Sequence, residues 1–376
     1  MGDQERMDAA ELEREKEYLY WLCQVPALGA ASIRRLYDTF RSFQRIYNIE
    51  GKQMADQKLL NGNSAACLEQ YKSRLEECRR EYRGLYGRNI RFITFLDRDY
   101  PERLTHIASP PVGIYVKGEL PDPASPSAAI IGARNCTEYG RQAAEYFGRE
   151  LGKAGVSVIS GLAAGIDGVG HRGALAGGGK TYGVLGCGVN VCYPRENYRL
   201  FAAMEEQGGI LSEFRLGEAP APKNFPMRNR IISGLADVIL VMEARKKSGS
   251  LITAELGLEQ GKEVYALPGR LGDPLSEGCN QLIRDGAGLL VSPDDILEYF
   301  GINPLKLLTV HEKSQKGLAK KAKMLYSCLD LQPKHLEQLA MESGCSVNEC
   351  MSILLDLELR GFIIETANQY YVKKLV

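Results

Sequence analysis

The chain has 376 residues, more than one ordinary domain holds, so two or three domains are expected. Its 44% hydrophobic and 25% charged residues fit an ordinary globular protein, and no apolar run reaches the roughly 18 residues that span a bilayer. The formal net charge is zero, so any attraction to phosphate must be local, and the polar stretch Met1–Glu17 argues against a signal peptide.

From Glu11 to about Arg83 the apolar spacing is helical. Val25-Pro26-Ala27-Leu28-Gly29-Ala30-Ala31-Ser32 breaks it as a turn, and Ile33, Leu36, Tyr37, Phe40 and Phe43 resume the helical period. Two readings stand: a helix-hairpin-helix offering backbone amides to a DNA phosphate, or a plain helical hairpin with a packed apolar face. Arg91–Phe95 and Val112–Val116 have strand character, with Asp99-Tyr100-Pro101 and Ser109-Pro110-Pro111 as turns between them.

From Ala128 to about Tyr299 short apolar strands alternate with helices. The strands are Ala128–Ile131, Ser157–Ser160, Thr181–Leu185, Ile210–Glu213, Val238–Met242 and Glu263–Leu267. Repeated strand–helix units predict an α/β fold, an extended Rossmann-like and mostly parallel sheet with helices on both faces. Ligands of such sheets bind beyond the carboxyl ends of the strands. Asn303–Lys320 is a polar linker. Beyond it, three helical segments and a hairpin around Ala367-Asn368-Gln369 have the order of a winged helix. Its candidate recognition helix, Ser346–Arg360, carries Glu349, Asp356 and Glu358 but one basic residue, which suits a protein contact better than a DNA groove. The expected division is residues 1–86 helical, 87–302 Rossmann-like, 303–320 linker and 321–376 winged-helix-like.

Three turns after strands are rich in glycine and small polar residues. Gly132-Ala133-Arg134 precedes a helix that Thr137 is placed to cap, an arrangement that favours an anion. Ser160-Gly161 opens the second turn, where Asp167 would repel phosphate and so orients the loop. Asp167 and His171 are in an i,i+4 relation, but with no nucleophile or metal partner a structural contact is preferred to a proton relay. Ser248-Gly249-Ser250 opens the third helix with hydroxyls and amides.

Beside these turns stands Lys223-Asn224-Phe225-Pro226-Met227-Arg228-Asn229-Arg230. Its arginines and amides can grip phosphate, with the alternative that one of Arg228 and Arg230 fixes the loop instead; Ile231, Ile232 and Leu235 are expected to anchor the helix in the core, and Phe225 either stacks on a base or packs there. Between Pro220 and Ser250 six basic residues face two acidic ones, a local net of +4 in a neutral chain. No side chain of Asn224–Leu235 can act as a nucleophile or general base near neutral pH. An extended anion track of this kind suits a polynucleotide better than a mononucleotide.

The usual nucleotide motifs are missing. There is no Gly-x-x-x-x-Gly-Lys-Ser/Thr, and no Gly-x-Gly-x-x-Gly follows the first strand of the alternating region. The ten cysteines include no Cys-x-x-Cys pair, so reduced thiols of a cytoplasmic protein are expected, with no metal and no cofactor.

The blocks Gly132-Ala133-Arg134, Ser160–Asp167 with His171–Leu175, Tyr193-Pro194-Arg195-Glu196-Asn197, Phe225–Leu235, Ser248–Ala254 and Gly278–Ile283 together closely resemble the DprA/Smf family. The likeness covers about half the chain strongly. It implies a non-catalytic protein that binds single-stranded DNA without sequence preference, with weaker double-stranded binding possible. It also implies a homodimer, and RecA recombinase as the partner loaded onto DNA in natural transformation. By the same resemblance Arg134 grips DNA, Lys223 lies near a DNA-binding lysine, and Arg228 and Arg230 match the arginines of the Phe-Pro block. The N-terminal helices would then be the helix-hairpin-helix or SAM-like domain of that family. The alternative is a nucleotide-processing enzyme similar to phosphoribohydrolases, for which Ser248–Glu255 is the nearest match to the needed loop.

Overall fold

The computed structural model describes residues 8–302 and 318–374. The expected linker therefore lies almost wholly outside the described residues. Among its described residues the N-terminal unit holds six α-helices: α1 (Ala9–Gln24), α2 (Ala30–Phe40), α3 (Phe43–Asn48), α4 (Gly51–Asp56), α5 (Gly62–Tyr71) and α6 (Leu75–Arg83). Val25 and Leu28 of the α1–α2 turn are buried, so the turn is anchored by packing. Glu15 is buried in α1 and accepts from Ser42 Oγ at 2.6 Å and from the Phe43 amide, fixing the start of α3.

Two strands follow, β1 (Arg91–Thr94) and β2 (Gly113–Gly118), then an alternating series. It runs β3 (Ser127–Ile131), α7 (Glu138–Lys153), β4 (Ser157–Ser160), α8 (Ile166–Ala176), β5 (Thr181–Val184), α9 (Tyr198–Glu206) and β6 (Gly208–Ser212). It continues with α10 (Asn224–Leu235), β7 (Val238–Val241), α11 (Gly249–Glu259), β8 (Glu263–Ala266), α12 (Glu277–Arg284), β9 (Gly288–Leu289) and α13 (Pro293–Tyr299). The strands form one sheet in the order β1-β2-β6-β5-β4-β3-β7-β8-β9. All neighbours from β6 to β9 are parallel, while β2 is antiparallel to both β1 and β6. This is the mostly parallel Rossmann-like sheet predicted from the alternation. Strands β3 to β7 are buried along their whole length, as strands covered on both faces must be.

The chain order reverses direction at β3, which lies between β4 and β7. Such a switch point leaves a crevice at the carboxyl edge of the sheet. Helices α7 and α8 pack on one face with Ala128, Ile130, Val158 and Leu240. Helices α10 and α11 pack on the other with Ala129, Ile131, Ile239 and Val241. The helical unit is joined to the sheet by aromatic contacts: Tyr20 lies 5.5 Å from Phe92, and Phe92 lies 4.8 Å from Tyr115, between ring centroids. Its core thus runs across residue 86 into β1 and β2.

The C-terminal unit has α14 (Lys320–Cys328), β10 (Lys334–His335), α15 (Leu336–Ser343), α16 (Val347–Leu359), β11 (Ile363–Ala367) and β12 (Tyr370–Lys373). Its described residues form a three-helix, three-stranded winged helix, and β10, too short to signal in the sequence, completes its small sheet. Ser346 and Glu349 form a capping box that starts α16.

Helices α7 and α8 approach closely because glycines line their contact. A Cβ at Gly152 would stand 2.6 Å from the Ala174 carbonyl oxygen. Gly152→Val should therefore lower the unfolding free energy by about 1–3 kcal/mol in a urea titration.

Candidate nucleic-acid interface

The three glycine turns follow β4, β3 and β7, which are adjacent in the sheet, so they line up along its carboxyl edge. The side chains around them divide into an exposed set and an inward-facing set. Arg134 is exposed, and its guanidinium stacks over the Phe225 ring at 4.8 Å. Phe225 is half-buried and lies 5.9 Å from Tyr193, with the two rings inclined by 35°. Together with Gly161, Ala163, Ala164, Leu185, Gly186, Cys187 and Pro194 they line a cleft of about 50 Å³. Gly186 forms its floor, since a Cβ there would stand 2.9 Å from Phe225 Cδ1. Lys223 is exposed one residue before α10. Among the described residues neither Arg134 nor Lys223 belongs to an ion pair.

The arginines of α10 face inward, contrary to the expectation that they hold phosphate. Arg228 is only 4% exposed. Its guanidinium donates to the Gly161 carbonyl at 2.9 Å, to the Val184 carbonyl and to Asn229 Oδ1 at 3.2 Å. Burial pulls its pKa down to about 10, and the attraction of Asp167 opposes that shift. Arg230 donates to both Glu213 oxygens, at 2.8 and 2.7 Å, and to the Met227 carbonyl at 2.9 Å. Both guanidinia are engaged inside the molecule because the wall they belong to would otherwise lack partners for buried carbonyls and for Glu213.

The amides are likewise internal. Asn224 is buried and donates to Glu218 Oε1 at 3.1 Å. Asn229 donates to the Gly249 carbonyl at 3.3 Å and so ties α10 to the start of α11. Ser160 Oγ donates to the Ile130 carbonyl at 2.5 Å. Ser248 caps α11, and its hydroxyl lies 2.7 Å from that of Ser250. Gly161 has a packing reason: a Cβ there would stand 2.6 Å from Arg228 Nη2 and 2.7 Å from Asp167 Oδ2. Gly132 has a similar one, 2.7 Å from Ile166 Cγ1.

Asp167 orients its loop by accepting from the Gly161 amide at 3.1 Å. His171 contacts Thr181 Oγ1 at 2.6 Å through Nδ1. Thr181 Oγ1 itself donates to Val158 O, so His171 Nδ1–H is the donor. Burial pushes the His171 pKa down to about 3, keeping the ring neutral.

One residue changes the meaning of the first turn. Thr137 caps α7, donating through its amide to Glu243 Oε2 at 2.9 Å and through its hydroxyl to Glu243 Oε1. Glu243, buried just beyond β7, places its carboxylate at the helix start where an anion was expected. The only advance signal was its position at the end of the strand next to β3. Tyr193 is a further wall of the cleft, signalled in the sequence only by its place in the block Tyr193-Pro194-Arg195-Glu196-Asn197. A wider cleft of about 1490 Å³ lies elsewhere, between α1, α2 and the β1–β2 connection. There Arg34, Arg35, Arg41 and Arg98 face Glu11, Glu15 and Asp38, so its charges nearly cancel.

The sequence profile of the DNA recombination-mediator protein A family matches residues 91–301, and that of the DprA winged helix domain matches 310–367. The chain belongs to the DNA recombination-mediator protein A family. Protein Smf of Escherichia coli is 41% identical over 277 residues, covering 72% of this chain and 74% of the relative. The X-ray structure of DprA from Streptococcus pneumoniae matches at a TM-score of 0.58 and 32% identity, over 75% of this chain and 97% of that one. DNA processing protein A from Helicobacter pylori, described for its single-stranded DNA binding mode, matches at 0.50 and 29%, over 56% and 95%. In this chain the carboxyl edge of the sheet thus carries an exposed arginine and two aromatics in front of a buried arginine clamp.

Two outcomes follow from this division. Arg228→Ala should cost about 3–5 kcal/mol of stability, because the buried Gly161 and Val184 carbonyls lose their donor and Asp167 loses an attracting charge, whereas Arg134→Ala should change the unfolding free energy from urea titrations by less than about 0.5 kcal/mol. The second concerns pH. The unfolded His171 takes its proton near 6.5 and the folded one near 3, so stability falls as pH drops through that window. The slope from this group is about 1.4 kcal/mol per pH unit at most. His171→Gln should remove that slope in urea titrations run across the window.

Proposed function

We propose that the protein binds single-stranded DNA without sequence preference and without catalysis, and helps load RecA recombinase onto incoming DNA in natural transformation. The observation that carries the DNA reading is the exposed Arg134 guanidinium stacked on Phe225, beside Tyr193 and Lys223, at the carboxyl edge of the sheet. Arg134 and Lys223 hold phosphates, and Phe225 and Tyr193 offer ring surface to a base. Arg228, Arg230, Asn224, Asn229, Ser160, Gly161, Gly132 and the Ser248-Gly249-Ser250 turn build the wall behind them. The single-stranded DNA binding described for the Helicobacter pylori relative supports this reading. Weaker double-stranded binding would use the same phosphate contacts.

The enzyme alternative is disfavoured by Glu243, whose carboxylate occupies the α7 start where a nucleotide phosphate would sit. A homodimer is supported by Met227, Ile252 and Leu258, large apolar side chains left exposed on the neighbouring helices α10 and α11. The winged-helix unit is proposed as a protein contact, because α16 exposes Met351, Leu355 and Leu359 and lacks the positive charge a DNA groove requires. No helix among the described residues is long and apolar enough to cross a membrane, and a cytoplasmic location is proposed from the reduced cysteines. We retain the four-part division 1–86, 87–302, 303–320 and 321–376 as a proposal.

Anisotropy titrations of oligo-dT should show affinity falling steeply with salt. Arg134→Ala and Lys223→Glu should each weaken binding and make the log–log salt slope shallower by about 0.7 per lost phosphate contact. Phe225→Ala should cost about 1–3 kcal/mol if its ring carries a base. Unchanged affinity in both charge variants would sink the site.

A further inference from the structure

The lip of the aromatic cleft continues into a ridge that none of the expected site residues covers. Tyr193 and Pro194 line the cleft, and a single 3-10 turn, Arg195–Asn197, leads from them into α9. Arg195, Tyr198 and Arg199 are exposed there, and Tyr198 keeps 67% of its surface open. Arg172 of α8, also exposed, reaches the same turn, with Nη1 3.5 Å from Asn197 Oδ1.

The ridge is fixed to the glycine turn from below. Asn197 is buried and donates through Nδ2 to the Leu162 carbonyl at 3.0 Å and the Ala163 carbonyl at 3.2 Å. The same turn lines the cleft through Gly161, Ala163 and Ala164. So the cleft and the ridge share one rigid support. Among the described residues Arg172, Arg195 and Arg199 stand outside the ion pairs. With Arg134 and with Arg141 of the facing α7 they make five arginines against Glu138, Glu145 and Glu196, a net of +2. Glu138 is already bound to Arg141 at 3.3 Å.

An exposed aromatic between unpaired arginines combines the two contacts a single strand needs: ring surface for a base and cations for the flanking phosphates. Helix α9 follows β5 and α10 leads into β7, so their N-termini stand at the carboxyl edge with the cleft between them. Both helix starts favour an anion.

We propose that Arg195, Tyr198 and Arg199, with Arg172, form a second single-strand subsite continuing from the Phe225–Tyr193 cleft. Tyr198 stacks one base, and the arginines hold the phosphates on either side. The subsite rests on the single-strand reading above.

The test uses the full chain and two oligo-dT probes, of about 4 and about 16 nucleotides. The short probe reports the cleft, and the long one reports cleft plus ridge. Tyr198→Ala should weaken the long probe about fivefold or more and leave the short one unchanged, while Tyr198→Phe should bind both as the parent does. The double variant Arg195→Glu/Arg199→Glu should make the long probe's salt slope shallower by about 1.4, two contacts at about 0.7 each. Long-probe affinity and slope unchanged in these variants, with the short probe still bound, would overturn the ridge alone. Equal losses on both probes would place Tyr198 inside the primary cleft and also overturn the extension. If the short probe is insensitive to Arg134→Ala and Phe225→Ala, the parent reading fails and the ridge fails with it.

Discussion

The Arg228 guanidinium is the contact on which the interface depends. It joins three elements: it sits on α10, bonds the Gly161 carbonyl beyond β4 and bonds the Val184 carbonyl at the end of β5. Backbone carbonyls at strand ends inside a crevice have no ladder partner, and leaving them bare is costly. A single fixed fork answers two of them and is balanced by Asp167, itself held by the Gly161 amide. Phe225 lies one turn before Arg228 on the same helix, so the clamp sets where the ring stands. The clamp also explains why Gly161 has no side chain. The buried cation here is a device for position, since its bonds run to backbone carbonyls at two strand ends and so fix α10 against them.

Glu243 makes the second constraint. A Rossmann-like sheet ordinarily offers its first helix start to a ligand phosphate. Here the chain supplies its own carboxylate at that point and bonds it to the Thr137 amide and hydroxyl. Burial raises the Glu243 pKa, and the Thr137 bonds act against that rise. With the switch-point pocket closed, the carboxyl edge offers a shallow aromatic cleft and exposed cations instead of a deep nucleotide site. The fold is therefore used along its rim. A rim accepts a chain that passes across it more readily than a mononucleotide that must be enclosed.

Much of the architecture was legible because its signals are local. Continuous apolar runs followed by glycine marked the buried parallel strands, and Thr137 and Ser346 marked helix starts. The two added antiparallel strands were legible from β-branched and aromatic runs, but nothing local placed β2 beside β6, a pairing across about ninety intervening residues. At the site, the sequence showed which residues gather and that Ile231, Ile232 and Leu235 face the core, but not which of the arginines turn inward. Arg134 and Arg228 look alike in a list of arginines. Their difference arises from place and helix phase: Arg134 lies in the turn before α7, whereas Arg228, Ile231, Ile232 and Leu235 share the buried side of α10 and Met227 falls on its open side. Glu243 was counted as one more charge because its partner lies 106 positions away in the chain.

That phase argument also accounts for how a neutral chain can bear a basic rim. Arginine buried as a clamp is screened by its own partners and contributes little field outside. Of the six cations between Pro220 and Ser250, Arg228 and Arg230 are withdrawn in this way, and Lys246 stands near Glu277 at 3.8 Å. The outward positive charge is then carried by Lys223, Arg245 and Lys247 from this segment and by Arg134 from the neighbouring turn, all exposed. A count of charges over the segment overstates its pull, whereas the exposed set is spread along the edge instead of concentrated at one point. Spread cations match a polyanion whose charges are themselves spaced, and each contact remains individually weak and screened by salt. Grip of this kind comes from the number of contacts, which is why rigid placement by Arg228 matters more to it than the strength of any one pair.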